Sequence, residues 1–333
     1  MQTTSVLIQS LCVPCLNRCR YCLLSWNGRV EGAGWERSVR LAERWLRELK
    51  EQRPALQASF AFGCSMEHPA LREALRILRR LGSPMADFLQ CDGMKMRNEA
   101  ACAELMALLK GEGIRQLNFT VYGLPDYHDR FAGRKGDYAL ILRMMRAAGR
   151  AGIPCDAGIP LTKENVGQAD ELICCLKEAG CAQVRLFIPH EEGRGRTLAA
   201  VRLTKRDLET LSPAARALLN TAVFRTEAEW LKEAGGYREE KRQILLSLRL
   251  DNIDRYEGLD ALSALRETEA LDDAYYAAFP DFAGLAERYG DPAGEKIYRV
   301  RDLFAHYRAQ YAAEHGIRPY DVTDERFSGS RRS

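Results

Sequence analysis

No cysteine follows Cys181, so the last part of the chain offers no thiolate set for a metal site. No apolar run approaches the roughly 20 residues that span a bilayer, and the opening Met1-Gln2-Thr3-Thr4-Ser5 lacks the basic start of a secretory signal. Membrane insertion and export are therefore not indicated. Neither sign of charge is in excess: 49 basic against 46 acidic residues leave a net charge of +3, which gives no electrostatic reason for nucleic-acid or anionic-lipid binding. The dense, evenly paired cysteines of a small secreted domain are missing as well. Eleven cysteines in 333 residues are odd in number and widely spread, which fits reduced thiols and a cytoplasmic location.

What the chain does contain is Cys15-Leu16-Asn17-Arg18-Cys19-Arg20-Tyr21-Cys22, a C-x3-C-x2-C run just after an apolar, strand-like segment. Cys12 adds a C-x2-C pair that could suggest zinc, but zinc ribbons separate their two pairs by roughly 15–20 residues. A bacterial ferredoxin needs C-x2-C-x2-C-x3-C followed by proline, and the order here differs. Three thiolates on so short a loop suit three corners of a [4Fe-4S] cubane, with the fourth iron open. Cys15, Cys19 and Cys22 are the expected ligands, and Cys12 is not. The run resembles the signature of the radical S-adenosylmethionine superfamily, including the aromatic residue, Tyr21, before the third cysteine. The resemblance implies that the open iron chelates the amino and carboxylate groups of S-adenosylmethionine.

Short apolar runs at Val6 to Leu11, Ala58 to Phe62, Ala86 to Cys91, Leu117 to Tyr122, Cys155 to Leu161 and Val184 to Ile188 predict six strands. Between them lie helical periodicities such as Leu41, Trp45, Leu49 and Leu71, Leu75, Leu78. Repeated βα units imply parallel strands with right-handed crossovers, covered by helices. The expected fold is α/β, and the resemblance implies a partial (β/α)6 TIM-type barrel over residues 1–200. Beyond Leu203 the alternation stops, and residues 201–333 are expected to form a helical lid or substrate-binding region, without which the cluster still assembles.

In parallel barrels the site lies at the C-terminal ends of the strands. After the second strand, Gly63-Cys64-Ser65-Met66-Glu67-His68-Pro69 stands where the superfamily has Gly-Gly-Glu-Pro. Alignment on His-Pro puts Cys64 at the glutamate position, whereas alignment on the acid, the preferred one, selects Glu67, which otherwise serves as a first-turn helix acid; the resemblance implies that this segment contacts the amino group of the cofactor. The resemblance further implies cofactor contacts from Thr120 after the fourth strand, Arg134 in the following loop, Asn165 before the helix that follows the fifth strand and Arg185 on the sixth strand, with His190 as a weaker candidate. On composition alone Arg134 and Lys135 read as a solvated basic turn and Asn165 as a helix cap. Cys64 and Cys91 fall at strand ends, where a thiol could return a hydrogen atom to a substrate radical; as free cysteines they could equally be core residues.

The activity implied by the resemblance is reductive cleavage of S-adenosylmethionine, with the electron supplied by a ferredoxin or flavodoxin. The resulting 5′-deoxyadenosyl radical then takes a hydrogen atom from substrate in an oxygen-sensitive site. A peptide or protein side chain is the leading substrate, although the chain starts at its first strand without room for a leader-peptide domain. The alternatives are activation of a glycyl-radical partner, a small metabolite, or a non-catalytic iron–sulfur electron carrier.

Overall fold

The computed structural model describes residues 2–10, 15–22, 32–63, 65–191, 193–238 and 241–318. Strand β1 (Gln2–Ser10) is followed by helix α1 (Trp35–Gln52), β2 (Gln57–Phe62), α2 (Leu71–Arg80), β3 (Phe88–Gln90), α3 (Glu99–Gly111) and β4 (Gln116–Thr120). Then come α4 (Pro125–Ala132), α5 (Asp137–Arg150), β5 (Cys155–Pro160), α6 (Ala169–Glu178) and β6 (Cys181–Phe187). The six expected strands are all present.

Alternation explains why these segments pair. On β4 and β6, Leu117, Phe119, Val184 and Leu186 lie in the apolar core under the helices, while Asn118 and Arg185 on the opposite face share a hydrogen bond across the sheet. Each fully buried leucine, such as Leu89 or Leu117, contributes about 1.5–3 kcal/mol. Helix α1 presents Leu41, Ala42, Trp45 and Leu49 as its buried stripe. Sheet order β3-β4-β5-β6 is parallel throughout, and a second parallel sheet runs β2-β1-β8, with β8 at Lys241–Leu248. Together they form a partial barrel.

The C-terminal region departs from the helical expectation. It holds α7 (Lys205–Leu208), α8 (Pro213–Arg216), β7 (Arg225–Thr226), α9 (Glu227–Leu231), β8 (Lys241–Leu248), α10 (Ile253–Glu257), α11 (Ala261–Ala277), α12 (Phe282–Tyr289), β9 (Ile297–Tyr298) and α13 (Val300–His315). Strand β8 runs parallel to β1, from Gln2 opposite Lys241 to Ser10 opposite Leu248. A division at residue 200 thus leaves a strand of the β1 sheet on the wrong side. Its buried Arg242 fixes the register, donating to Thr3 Oγ1 at 2.9 Å and to Asp272 Oδ2 at 3.1 Å on α11. Trp45 Nε1 donates to the Leu259 carbonyl, tying α1 to the same region.

A smaller core of Trp230, Phe282, Leu285, Tyr298, Leu303 and Tyr307 organises the remainder. Helix α13 is latched to the loop after β6: His190 Nδ1 lies 3.1 Å from Asp302 Oδ1, and Glu191 Oε1 pairs with His306 Nδ1. No described helix is long and apolar enough to cross a membrane.

Candidate active site

The cysteine loop is stitched across the strand ends by its backbone. Leu16 N–H donates to the Gly93 carbonyl at 3.2 Å, Arg18 N–H to Ala132 at 2.7 Å, and Arg20 N–H to Phe131 at 3.1 Å. Arg194 N–H, after β6, closes on the Cys22 carbonyl at 3.1 Å. Gly93 sits at φ +62°, and a Cβ there would fall 2.2 Å from Cys15 Sγ. Only glycine leaves room for that sulfur.

Beneath the loop lies a buried polar scaffold that sequence reasoning did not assign. Tyr122 N–H donates to His128 Nδ1 at 3.1 Å, which leaves the proton on Nε2 to donate to Asp137 Oδ2, also at 3.1 Å. Asp137 Oδ2 in turn accepts from Asn17 Nδ2 at 2.9 Å, inside the cysteine loop. Arg134 completes the group. Its guanidinium donates to Asn17 Oδ1 at 3.3 Å and to the Met94 carbonyl, and lies 3.4 Å from Asp137. With its side chain 13% exposed, Arg134 is not a solvated turn residue but a strut of the loop. The available signal was a run of polar residues among the apolar positions of α4 and α5, which periodicity scores as surface.

Cys19 is buried, while Cys15 and Cys22 are half-buried. The Cys19 sulfur lies 2.9 Å from the Tyr122 hydroxyl, within an apolar cradle of Tyr122, Tyr127, Phe131 and Leu198 against which Tyr21 and Cys22 also pack. Burial pushes the Cys19 thiol far up; the Tyr122 hydrogen bond opposes this, and Asp92, Cys15 and Cys22 add to it. Such a thiol becomes a thiolate when a metal displaces its proton. Among the described residues no three His, Cys, Asp or Glu side chains gather about one point that could hold a single ion. A cubane needs no such point, because each thiolate binds a different iron. The short loop, its three thiols and their shielded cradle fit a cluster.

The barrel face of the sheet is polar. Asn118 joins Gln90 to Arg185, whose Nη2 donates to Asn118 Oδ1 at 3.1 Å, and Gln116 donates to Asp156 at 2.5 Å. Asp92 accepts from Gln90 Nε2 at 2.6 Å, from Thr120 N–H at 3.1 Å and from Thr120 Oγ1 at 3.1 Å. Burial raises its carboxyl to about 6 against the pull of these donors from Gln90 and Thr120.

Other sequence candidates lie elsewhere. Cys91 alternates with Asp92 and points with Leu89 into the apolar core, fully buried, away from the face a substrate could reach. That orientation removes the ground for a hydrogen-donor role and returns it to the core reading. Glu67 is locked in a two-point ion pair with Arg97, at 2.6 and 2.9 Å, and accepts from Lys95 N–H. Asn165 makes no helix cap; its Nδ2 donates to the Tyr122 and Pro160 carbonyls while Oδ1 accepts from Thr162 N–H, fastening the end of β5 to the residues after β4. Gly63 N–H donates to the Ser10 carbonyl at 2.8 Å and joins β2 to β1. Cys12 and Cys64 lie outside the described residues. The structure thus groups Cys15, Cys19, Cys22, Thr120 and Arg134 about the loop, with Arg185 on the connected face, and turns Glu67, Cys91 and His190 to other partners.

A sequence model of the Radical SAM superfamily matches residues 12–176. No curated relative matches the chain. Among solved structures, similarity is found to SuiB of Streptococcus suis bound to its precursor peptide SuiA, at 14% identity and a TM-score of 0.49 over 73% of this chain and 58% of that one. HemN, the coproporphyrinogen III oxidase of Escherichia coli, described as a radical SAM enzyme, is similar at 13% identity and a TM-score of 0.42, over 74% and 63%. The AdoMet-bound anSMEcpe gives 15% identity and 0.43, over 62% and 58%. The chain therefore spans less than two thirds of the length of each of these three. With its three-cysteine loop seated across the strand ends of a parallel βα sheet, the chain carries over residues 12–176 a domain of the Radical SAM superfamily, whose members use a [4Fe-4S] cluster and S-adenosylmethionine.

Proposed function

We propose that this radical SAM enzyme acts on a polar substrate, a peptide or protein side chain, held against the barrel face below the cysteine loop. Cys15, Cys19 and Cys22 would hold the cluster. When bound, the cluster supplies the electron that splits S-adenosylmethionine into methionine and a 5′-deoxyadenosyl radical able to take a hydrogen atom. The chain's own residues do the placing. Asn17, Arg134 and Asp137 hold the loop over the strand ends, and Tyr122, Tyr127 and Phe131 keep water from the Cys19 side. Thr120, fixed by Asp92, and Arg185, fixed by Asn118, are the polar groups offered toward cofactor and substrate.

The observation that carries the substrate class is the amide-rich face. Gln90, Asn118 and Arg185 form one hydrogen-bonded chain across it and Gln116 donates to Asp156, and side-chain amides have the donors and acceptors that peptide groups match. A ferredoxin or flavodoxin is the proposed reductant. Anaerobic reconstitution with S-adenosylmethionine and dithionite tests the activity: 5′-deoxyadenosine should form, and an electron carrier would make none. Adding candidate peptides should then couple its release to a mass change in the peptide.

A further inference from the structure

The Tyr122 hydroxyl is held where it can do more than fill space. Its ring stacks between His128, at a centroid distance of 4.9 Å, and Phe131, at 4.7 Å. Its backbone is pinned at both ends, the N–H by His128 and the carbonyl by Asn165. The hydroxyl therefore has one place to be, 2.9 Å from Cys19 Sγ, and at 2% exposure no water competes for it. In the free thiol either atom can donate. A thiolate bound to iron has no proton, so the hydroxyl must then be the donor. Behind it the packing continues: the Tyr21 ring meets Tyr122 edge-on, with centroids 5.5 Å apart, and Thr120 Oγ1 lies 3.1 Å from Asp92 Oδ2.

Hydrogen bonds to cluster sulfurs favour the reduced, more negative state and raise the potential. We propose that Tyr122 is a positioning residue that donates a hydrogen bond to the cluster-bound Cys19 thiolate, oriented from behind by Tyr21, and that this bond sets the reduction potential of the cluster. The proposal rests on the cluster reading given above. The phenol contributes no electron and no proton transfer; it stabilises charge on sulfur.

The test is a redox titration followed by electron paramagnetic resonance on the reconstituted full-length chain, with iron and sulfide counted first. Tyr122→Phe keeps the ring and its stacking, so it should take up the wild-type complement of iron while its midpoint potential moves to a more negative value. Tyr21→Leu leaves the donor but removes the ring that packs edge-on against it, and should give a smaller shift of the same sign. A loaded Tyr122→Phe variant with the wild-type potential would overturn the proposal. If Tyr122→Phe does not load, an unshifted Tyr21→Leu overturns it instead. Failure of the cluster reading is a separate outcome, since the wild-type chain would then take up no four-iron cluster.

Discussion

Gly93 sets the steric condition for the cysteine loop, because its positive φ and the Cys15 sulfur occupy the room a side chain would need. Gly93→Ala is expected to cost at least about 1–3 kcal/mol from backbone strain alone, and to lower reconstituted iron; thermal melting and an iron assay check both. Asp92 makes a prediction with a sign. Its folded carboxyl sits at about 6, above the unfolded value near 4, so the folded chain holds the proton more tightly. Its contribution to stability is fully present below about pH 4 and is lost as pH rises through 6. Urea midpoints of the metal-free protein between pH 4 and 7 should fall with pH, and Asp92→Asn should flatten that fall. Single-residue legibility divided along chemistry. The three cysteines declare themselves by spacing, whereas Asn17, His128 and Asp137 act through contacts between segments up to 120 residues apart, which no local pattern encodes. Cys91 misled because a strand end was read without its alternation; the neighbouring Asp92 is the residue that faces the barrel.

Among elements, the latch between α13 and the loop after β6 is electrostatic and buried. Burial alone would raise the Asp302 carboxyl, but His190, Arg299 and Arg202 outweigh it and hold it well below the usual carboxylate range. Its stabilisation is thus present at neutral pH and lost as pH falls through the acid range. Asp302→Asn should cost about 3–5 kcal/mol by leaving the cations without their partner, and should remove part of the acid sensitivity seen in a melting series. Strands β1 to β6 were legible because each is a short apolar run between amphipathic helices. Strand β8 was not. Its Ile244-Leu245-Leu246 core follows a charged, tyrosine-bearing stretch and precedes helices, and an apolar run that short has no periodicity to separate strand from helix.

At the scale of the molecule, the β8 pairing reverses one expectation about truncation. A chain ending near residue 201 would expose the edge of β1 along its whole length and uncover Trp45 beneath the Leu259 and Tyr256 contacts. Such an edge is an aggregation site. The truncated chain should therefore be insoluble or load little iron, as judged by sedimentation and an iron assay, instead of assembling a cluster without its C-terminal region.

The same pairing orders events during synthesis. Strand β1 finds its neighbour β8 only after roughly 240 further residues have been made, an interval on the order of 10–50 s at about 5–20 residues per second. Until then the nascent chain presents its cysteine loop beside a strand with one bare flank, exposed to oxygen and to adventitious metals. Cluster delivery thus belongs after β8 has emerged, and slowing translation between β1 and β8 would lengthen the window in which those thiols can be lost.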